Sequence, residues 1–219
     1  MKLLFSFVFL FVAFQPLEAK EVEENYTVKT KGITIGSLYW HVKLEKNTYT
    51  TSINLSNKGP LSLIYKFKGY YEASGIIKND ILVPERYIQE WKTKNKQRNI
   101  NLIFKNKKIM GLKIQPEEKE LARINFLELE GYSDPLTSFL NIFLNNFDAK
   151  TIDGRRVYVL SPNKNSDYTK VLIKDYINIW ADHNKTDLEY LEIFQNSNEN
   201  LPHKINIKFK GSVFTIKKL

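Results

Sequence analysis

The chain carries three histidines, 24 acidic residues, 14 phenylalanines, 12 tyrosines and three tryptophans, a balance that favours apolar contact over acid–base work. His41 alternates onto the polar side of its segment. His183 sits in the turn-like stretch Ala181-Asp182-His183-Asn184-Lys185, and His203 follows Leu201-Pro202 at a strand entrance. None has a second histidine or a carboxylate at metal-ligand spacing along the chain, so no zinc site is expected. There is no cysteine, which excludes thiol catalysis and thiolate ligation. A nucleophile elbow, a phosphate-cradling glycine loop and an HExxH pair are all missing. Paired carboxylates do acid–base chemistry when burial drives their pKa values apart, but here each has a local explanation. Glu117-Glu118-Lys119-Glu120 reads as a solvated loop, Asp134 as a helix cap, and Asp153 as the turn residue before Gly154. No catalytic residue, cofactor or metal is expected.

The aromatics are more informative. Trp40, Trp91 and Trp180 all fall in strand-like segments, as do Tyr65, Phe67 and Tyr71. In a flat sheet such side chains only fill a core. In a sheet curled into an incomplete barrel they line a cavity, and ligand cavities are mostly apolar with a few polar groups. Phe139 and Phe143 lie on the one helical segment and would face the same space. These eight residues are the candidate ligand lining.

The positioning elements follow from hydrophobic period. From Tyr26 onward apolar and polar residues alternate, as in half-buried strands: Leu38, Trp40, Val42 and Leu44 point one way, Tyr39, His41, Lys43 and Glu45 the other. Tyr49–Leu55 resumes the pattern. After Asn57-Lys58-Gly59-Pro60 a long strand is expected with Leu63, Tyr65, Phe67, Gly69, Tyr71 and Ala73 on one face, bent or bulged at Gly69 and Gly75. Further strands are expected at 87–93, 99–104, 109–114, 155–160, 170–180, 188–194, 204–209 and 212–218, and 115–130 as an acidic loop or irregular edge. One segment changes period. Leu136, Phe139, Leu140, Phe143, Leu144 and Phe147 recur at helical spacing behind Ser133-Asp134-Pro135, a cap followed by a proline suited to the first turn. The expected fold is therefore mainly β: a strongly curved antiparallel sheet or open β-barrel with one long α-helix packed on its concave side.

Residues 1–19 read as a cleavable signal and 20–219 as a single β-rich domain. Lys2 supplies the positive start, Leu3–Phe14 the apolar run, and Leu17-Glu18-Ala19 the cleavage site near Ala19. A run of that length falls short of the roughly 20 residues that cross a bilayer. Without a cysteine the mature chain is no lipoprotein, and a periplasmic location is expected. The net charge of +9 survives signal removal because Lys2 and Glu18 cancel. It is overwhelmingly lysine, with arginine only at 86, 98, 123, 155 and 156, and arginine is the residue that forks onto phosphate and guanine. Export and composition thus exclude nucleic acid, and leave lipid, envelope proteins or anionic envelope polymers as partners. The sequence does not speak to oligomeric state.

The order of short motifs resembles DUF3108, a family of exported bacterial proteins of unknown function. The resemblance rests on Tyr26-Thr27-Val28 through Gly32-Ile33-Thr34-Ile35-Gly36, Ser74-Gly75, Leu82–Tyr87, Asp134–Ser138, Asp153–Tyr158 and Leu201–Ile205. It implies an exported, full-length domain and brings no catalytic residues. Each recurrent position has a structural explanation: Gly36 at a turn or bulge, Pro84 at a strand entrance, Asp134 as a cap, Asp153-Gly154 as a hairpin. Arg155 is expected to pair with one of the two aspartates. The functional expectation is a non-catalytic binding or carrier module for an apolar or amphipathic ligand. The alternative is an envelope accessory or interaction domain, and an enzyme is the third reading.

Overall fold

The computed structural model describes residues 20–58, 66–181, 187–196 and 199–219. The expected signal and Tyr65 therefore lie outside the described residues, as does His183. Seven strands open the chain: β1 (Lys20–Thr30), β2 (Ile33–Leu44), β3 (Thr48–Asn57), β4 (Phe67–Lys78), β5 (Ile81–Thr93), β6 (Gln97–Lys105) and β7 (Lys108–Gln115). A helix, α1 (Pro135–Asn145), follows. Six strands close it: β8 (Ala149–Ile152), β9 (Arg156–Lys164), β10 (Thr169–Asn178), β11 (Leu188–Phe194), β12 (Lys204–Phe209) and β13 (Ser212–Lys218).

Turn chemistry sets the register. Lys31-Gly32, Asn79-Asp80, Asn106-Lys107 and Lys210-Gly211 each place two consecutive residues at positive φ, between 47° and 78°. That conformation matches the twist of antiparallel strands in two-residue hairpins. Two of the register shifts are bulges beside glycines in the long strands. Ile35 is the extra residue opposite the Val28–Lys29 step, so Gly36 sits at a bulge, where a Cβ would come within 2.7 Å of the Ser56 carbonyl oxygen. Glu85 is the extra residue opposite Ser74–Gly75, and a Cβ on Gly75 would lie 2.1 Å from the Val83 oxygen. Pro84 is thus inside β5 at a bulge, not at a strand entrance. The bulge opens the ladder locally, so a residue without an N–H is tolerated there.

All neighbours pair antiparallel in one sheet ordered β7-β6-β5-β4-β3-β2-β1-β13-β12-β11-β10-β9-β8. The two ends of the described chain meet in mid-sheet, where Tyr26–Thr30 pair with Phe214–Lys218. The sheet does not close, because its edges β7 and β8 do not pair with each other. It curls far enough that they face one another across a strap. Residues 130–133 bridge from Lys108 on one edge to Thr151 on the other. Gly154, in the β8–β9 turn, sits so close to Ile100 and Leu112 that a Cβ would come within 2.6 Å of Ile100. Its φ of +87° also excludes an ordinary side chain.

Helix α1 packs on the concave side, as its period predicts. Asp134 caps it by accepting from the Leu136 and Thr137 backbone N–H groups, both at 3.0 Å, and Asn146 ends it in the left-handed region. The buried set differs from the expected stripe. Leu136 and Leu140 are buried, but so are Thr137, Ser138, Asn141 and Ile142, while Leu144 is 49% exposed and Phe147 lies beyond the helix end. The sheet wraps round more than one side of the helix, so one apolar cluster takes Leu136 and Leu140 and a second takes Ile142. The intervening polar side chains are paired. Asn141 bonds the Leu82 backbone at 2.8 and 2.9 Å, the Thr137 hydroxyl meets that of Tyr49 at 2.6 Å, and Thr151 donates to Ser138 at 2.9 Å.

Asp134 is fully buried in this network, and desolvation raises its pKa from 3.8 to about 6 against four hydrogen bonds that favour the anion. The folded state therefore holds this proton more tightly than the unfolded chain. The stabilisation is complete below about pH 4 and is lost as pH rises through about 6, a difference of about 3 kcal/mol at most. Asp134→Asn keeps an oxygen for the cap and removes the buried charge. Urea unfolding at pH 4 and pH 7.5 is expected to show a smaller loss of stability in this variant than in the wild type. A residual loss is expected from Asp153, whose pKa burial also raises.

Candidate functional site

The concave face changes along its length. At the end where α1 packs, inner residues are sealed: Tyr49 is 2% exposed, and Thr51 and Ala73 are 0%. One or two steps along the same strands, Ile53, Leu55 and Tyr71 are only half-buried. The opposite wall repeats this. Ile205 and Ile216 are buried, whereas Ile207, Phe209 and Phe214 are half-buried. These residues share one face by register, through Trp40–Ile53–Tyr71–Gln89 on one side and Ile216–Ile205 then Phe214–Ile207 on the other. The helix is shorter than the barrel is deep, so it covers one end and leaves a cavity of about 560 Å³ at the other. The lining is apolar except for a few groups on one wall. Ligand cavities in general are mostly apolar with a few polar groups.

Trp40 forms the inner end of the cavity. Its ring lies 5.4 Å from that of Phe139, tilted by 59°, and its indole N–H donates to Thr51 at 2.9 Å. The ring is thereby fixed with its polar atom satisfied, which a tryptophan at an apolar surface needs. Polar groups collect on the wall made by Tyr71, Tyr87, Gln89, Asp153 and Tyr158. Tyr87 donates to Gln89 at 3.2 Å. Burial pushes the pKa of Tyr71 and Tyr158 upward, so both stay neutral donors. Neither hydroxyl has a hydrogen-bond partner among the described residues.

Of the eight expected lining residues, the fold brings three together here: Trp40, Tyr71 and Phe139. Phe143 is half-buried against the second apolar cluster on another side of α1. Trp180 donates its indole N–H to the Gly154 carbonyl at 3.0 Å and lies 6.2 Å from the Phe126 ring, so it braces the β8–β9 turn. Trp91 shares the concave face but lies at its open rim, paired with Gly69 and Arg98, and Phe67 opens β4 at the same end. Alternation gave each aromatic a side of its strand. It carried no information on depth along the barrel, which depends on cross-strand register. The aliphatic lining was legible as inward-facing positions, but not as distinct from core.

A family model for DUF3108, described as a protein of unknown function, matches residues 25–174. The chain belongs to the DUF3108 family. No curated protein matches it. Among solved structures it is similar to a β-barrel-like protein of the domain of unknown function DUF1849 from Brucella abortus, with TM-score 0.51 and 10% identity over 90% of this chain and 94% of that one. At that identity the likeness speaks to fold alone.

Within the DUF3108 match lie Gly36, Gly75, Pro84, Asp134 and Asp153-Gly154, whereas Leu201–Ile205 falls beyond it. Asp153 accepts from the Arg155 and Arg156 backbone N–H groups at 2.9 and 2.8 Å, making the expected turn. The Arg155 guanidinium pairs with neither aspartate: its Nη2 meets Glu118 at 2.9 Å, and Arg156 lies 3.6 Å from Asp153. Glu118 is thus drawn out of the loop expected to be solvated. In this family member the strand pairing also supplies what chain spacing did not. Glu21 and Glu23 of β1 reach His41 of β2 on the outer face, with ligand atoms within 4.8 Å of one another. His41 already meets Glu21 at 2.8 Å, an exposed surface pair.

Proposed function

We propose that this protein is an exported, non-catalytic binding or carrier module that holds an apolar or amphipathic, lipid-like molecule in the cavity beside α1. The observation that carries this reading is the contiguous set of half-buried apolar residues on the concave face, from Ile53 and Tyr71 across to Ile207 and Phe214. A sheet that needed only a core would bring these positions to the burial of Tyr49 and Ile216. Leaving them open forgoes roughly 25 cal/mol per Å² of apolar surface, which an apolar occupant restores. Saturable uptake of an apolar fluorescent probe by the delipidated chain supports the reading, and no uptake counts against it.

Export rests on the amino-terminal segment, and no helix among the described residues is long and apolar enough to cross a membrane. Protein released by osmotic shock is expected to have the intact mass of a chain beginning at or near Lys20. An unprocessed, membrane-bound chain beginning at Met1 would contradict both export and the carrier role. The second reading, an envelope interaction domain, draws on the sheet edge at β7, which the strap bridges at Lys108. There Met110 is 59% exposed, and the nearby 3₁₀ turn Phe126–Glu128 presents Leu127 at 50%. Exposed apolar groups beside a sheet edge suit a protein partner.

A further inference from the structure

The strand directions place one set of connections at the open end of the cavity: the β1–β2, β5–β6, β8–β9 and β12–β13 turns, which carry Lys31, Lys94, Lys96, Arg155 and Lys210. Arg98 begins β6 at this rim. It faces Trp91 across the β5–β6 pair, and the next inward pair on that face is Gln89 with Ile100, of which Gln89 lines the cavity. Three of the chain's five arginines gather here, since Gly154 sets the β8–β9 turn against Ile100 and brings Arg155 and Arg156 up to Arg98. Two carboxylates accompany them, and both are taken. Glu118 pairs with Arg155 at 2.9 Å, while Asp153 accepts two backbone N–H groups and faces Arg156. Asp187 is engaged by Lys210 at 3.3 Å. Among the described residues, Glu118 and Asp153 are held by Arg155 and Arg156, which leaves Arg98 without a carboxylate of its own. Arg98 is half-buried and has no ion pair or hydrogen bond among the described residues. Burial and the neighbouring Arg155 push its pKa down, and Glu118, which Arg155 holds, only partly offsets them.

We infer that Arg98 receives the acidic headgroup, a carboxylate or a phosphate, of a single-chain amphiphile whose tail occupies the apolar cavity. This rests on the carrier reading and names its ligand class. A guanidinium forks onto either group with two parallel hydrogen bonds, and the lysines on the rim turns raise the local concentration of anions. The wall tyrosines face the tail region, so the charged contact is made at the mouth, where the headgroup keeps part of its hydration.

The test compares a twelve-carbon carboxylate, phosphate monoester and alcohol as displacers of an apolar fluorescent probe from the full chain. In the wild type both acids are expected to bind roughly tenfold more tightly than the alcohol, the worth of one charge-assisted hydrogen-bonded contact. Arg98→Gln should bring the acid-to-alcohol ratio to near one. Arg98→Lys, which keeps the charge and loses the fork, should retain part of the preference and so separates loss of charge from misfolding. Equal binding of acid and alcohol in the wild type overturns the proposal and leaves the carrier reading standing, as does an acid preference that survives Arg98→Gln. Inorganic phosphate binding as tightly as the dodecyl ester would make this a free-anion site and also overturn it. If none of the three displaces the probe, the carrier reading fails together with the headgroup site.

Discussion

Leu140→Ala is expected to cost about 2–5 kcal/mol of folding stability and leave probe uptake near the wild-type level, and Phe139→Ala is expected to do the reverse. The two residues are adjacent on α1 and apolar, yet they face different surroundings. Leu140 is 2% exposed and packs at the sealed end, beside Val42 and Leu201. Removing its branch leaves a cavity that rigid neighbours cannot fill. Phe139 is half-buried, its ring 5.4 Å from that of Trp40 and part of the lining of the open cavity. Its truncation should therefore cost less than the roughly 3–5 kcal/mol of a fully buried phenylalanine. It should weaken probe binding roughly tenfold or more, because the ring is a wall that the ligand buries. Phe143→Ala is expected to cost an intermediate amount and not affect binding, since Phe143 belongs to the second cluster. A full core penalty for Phe139→Ala with unchanged probe binding would mean that the helix is only a core element, and would favour the interaction-domain reading.

Much of this fold was legible from period and turn chemistry. Alternation located most strands, and the segment behind Asp134-Pro135 located α1. Positive-φ pairs at Asn106-Lys107 and Lys210-Gly211 fall in the breaks between expected strands, whereas the turn at Lys31-Gly32 was not marked. The sequence was silent where structure depends on distant partners. β8 was missed because four residues give too little alternation, and its pairing with β9 and Ser133 is what makes it a strand. The pairing of β1 with β13 joins segments about 190 residues apart and has no local signature. The site was legible only in part, for the same reason. Trp40 and Trp91 both face inward, but one lies on the Ile53–Tyr71 layer beneath Phe139 and the other at the rim beside Arg98. Trp180 was lost to a change of register in β10 between Lys174 and Ile177, beyond which strand alternation no longer tells inside from outside. Arg155 chose Glu118 because the strap after β7 delivers that carboxylate to it, a contact across 37 residues.

The strongest effect on binding is expected from Ile53→Glu. Ile53 sits between Trp40 and Tyr71 in the cavity lining, half-buried, so water can solvate a carboxylate there when the cavity is empty. The variant should fold. A bound apolar tail would strip that water away, and desolvating an unpaired charge costs several kcal/mol. Affinity for an apolar or amphipathic ligand should fall by about two orders of magnitude or more. Thermal unfolding of the variant separates this from a folding defect.

Native mass spectrometry of protein taken from its own envelope, wild type beside Ile53→Glu, tests the carrier function most directly. The wild type is expected to fly partly as a one-to-one complex with a lipid-sized mass that collisional activation removes, and the variant to fly bare. A wild-type protein that carries no added mass, or an adduct that Ile53→Glu retains in full, would contradict the assignment of this cavity as a ligand site.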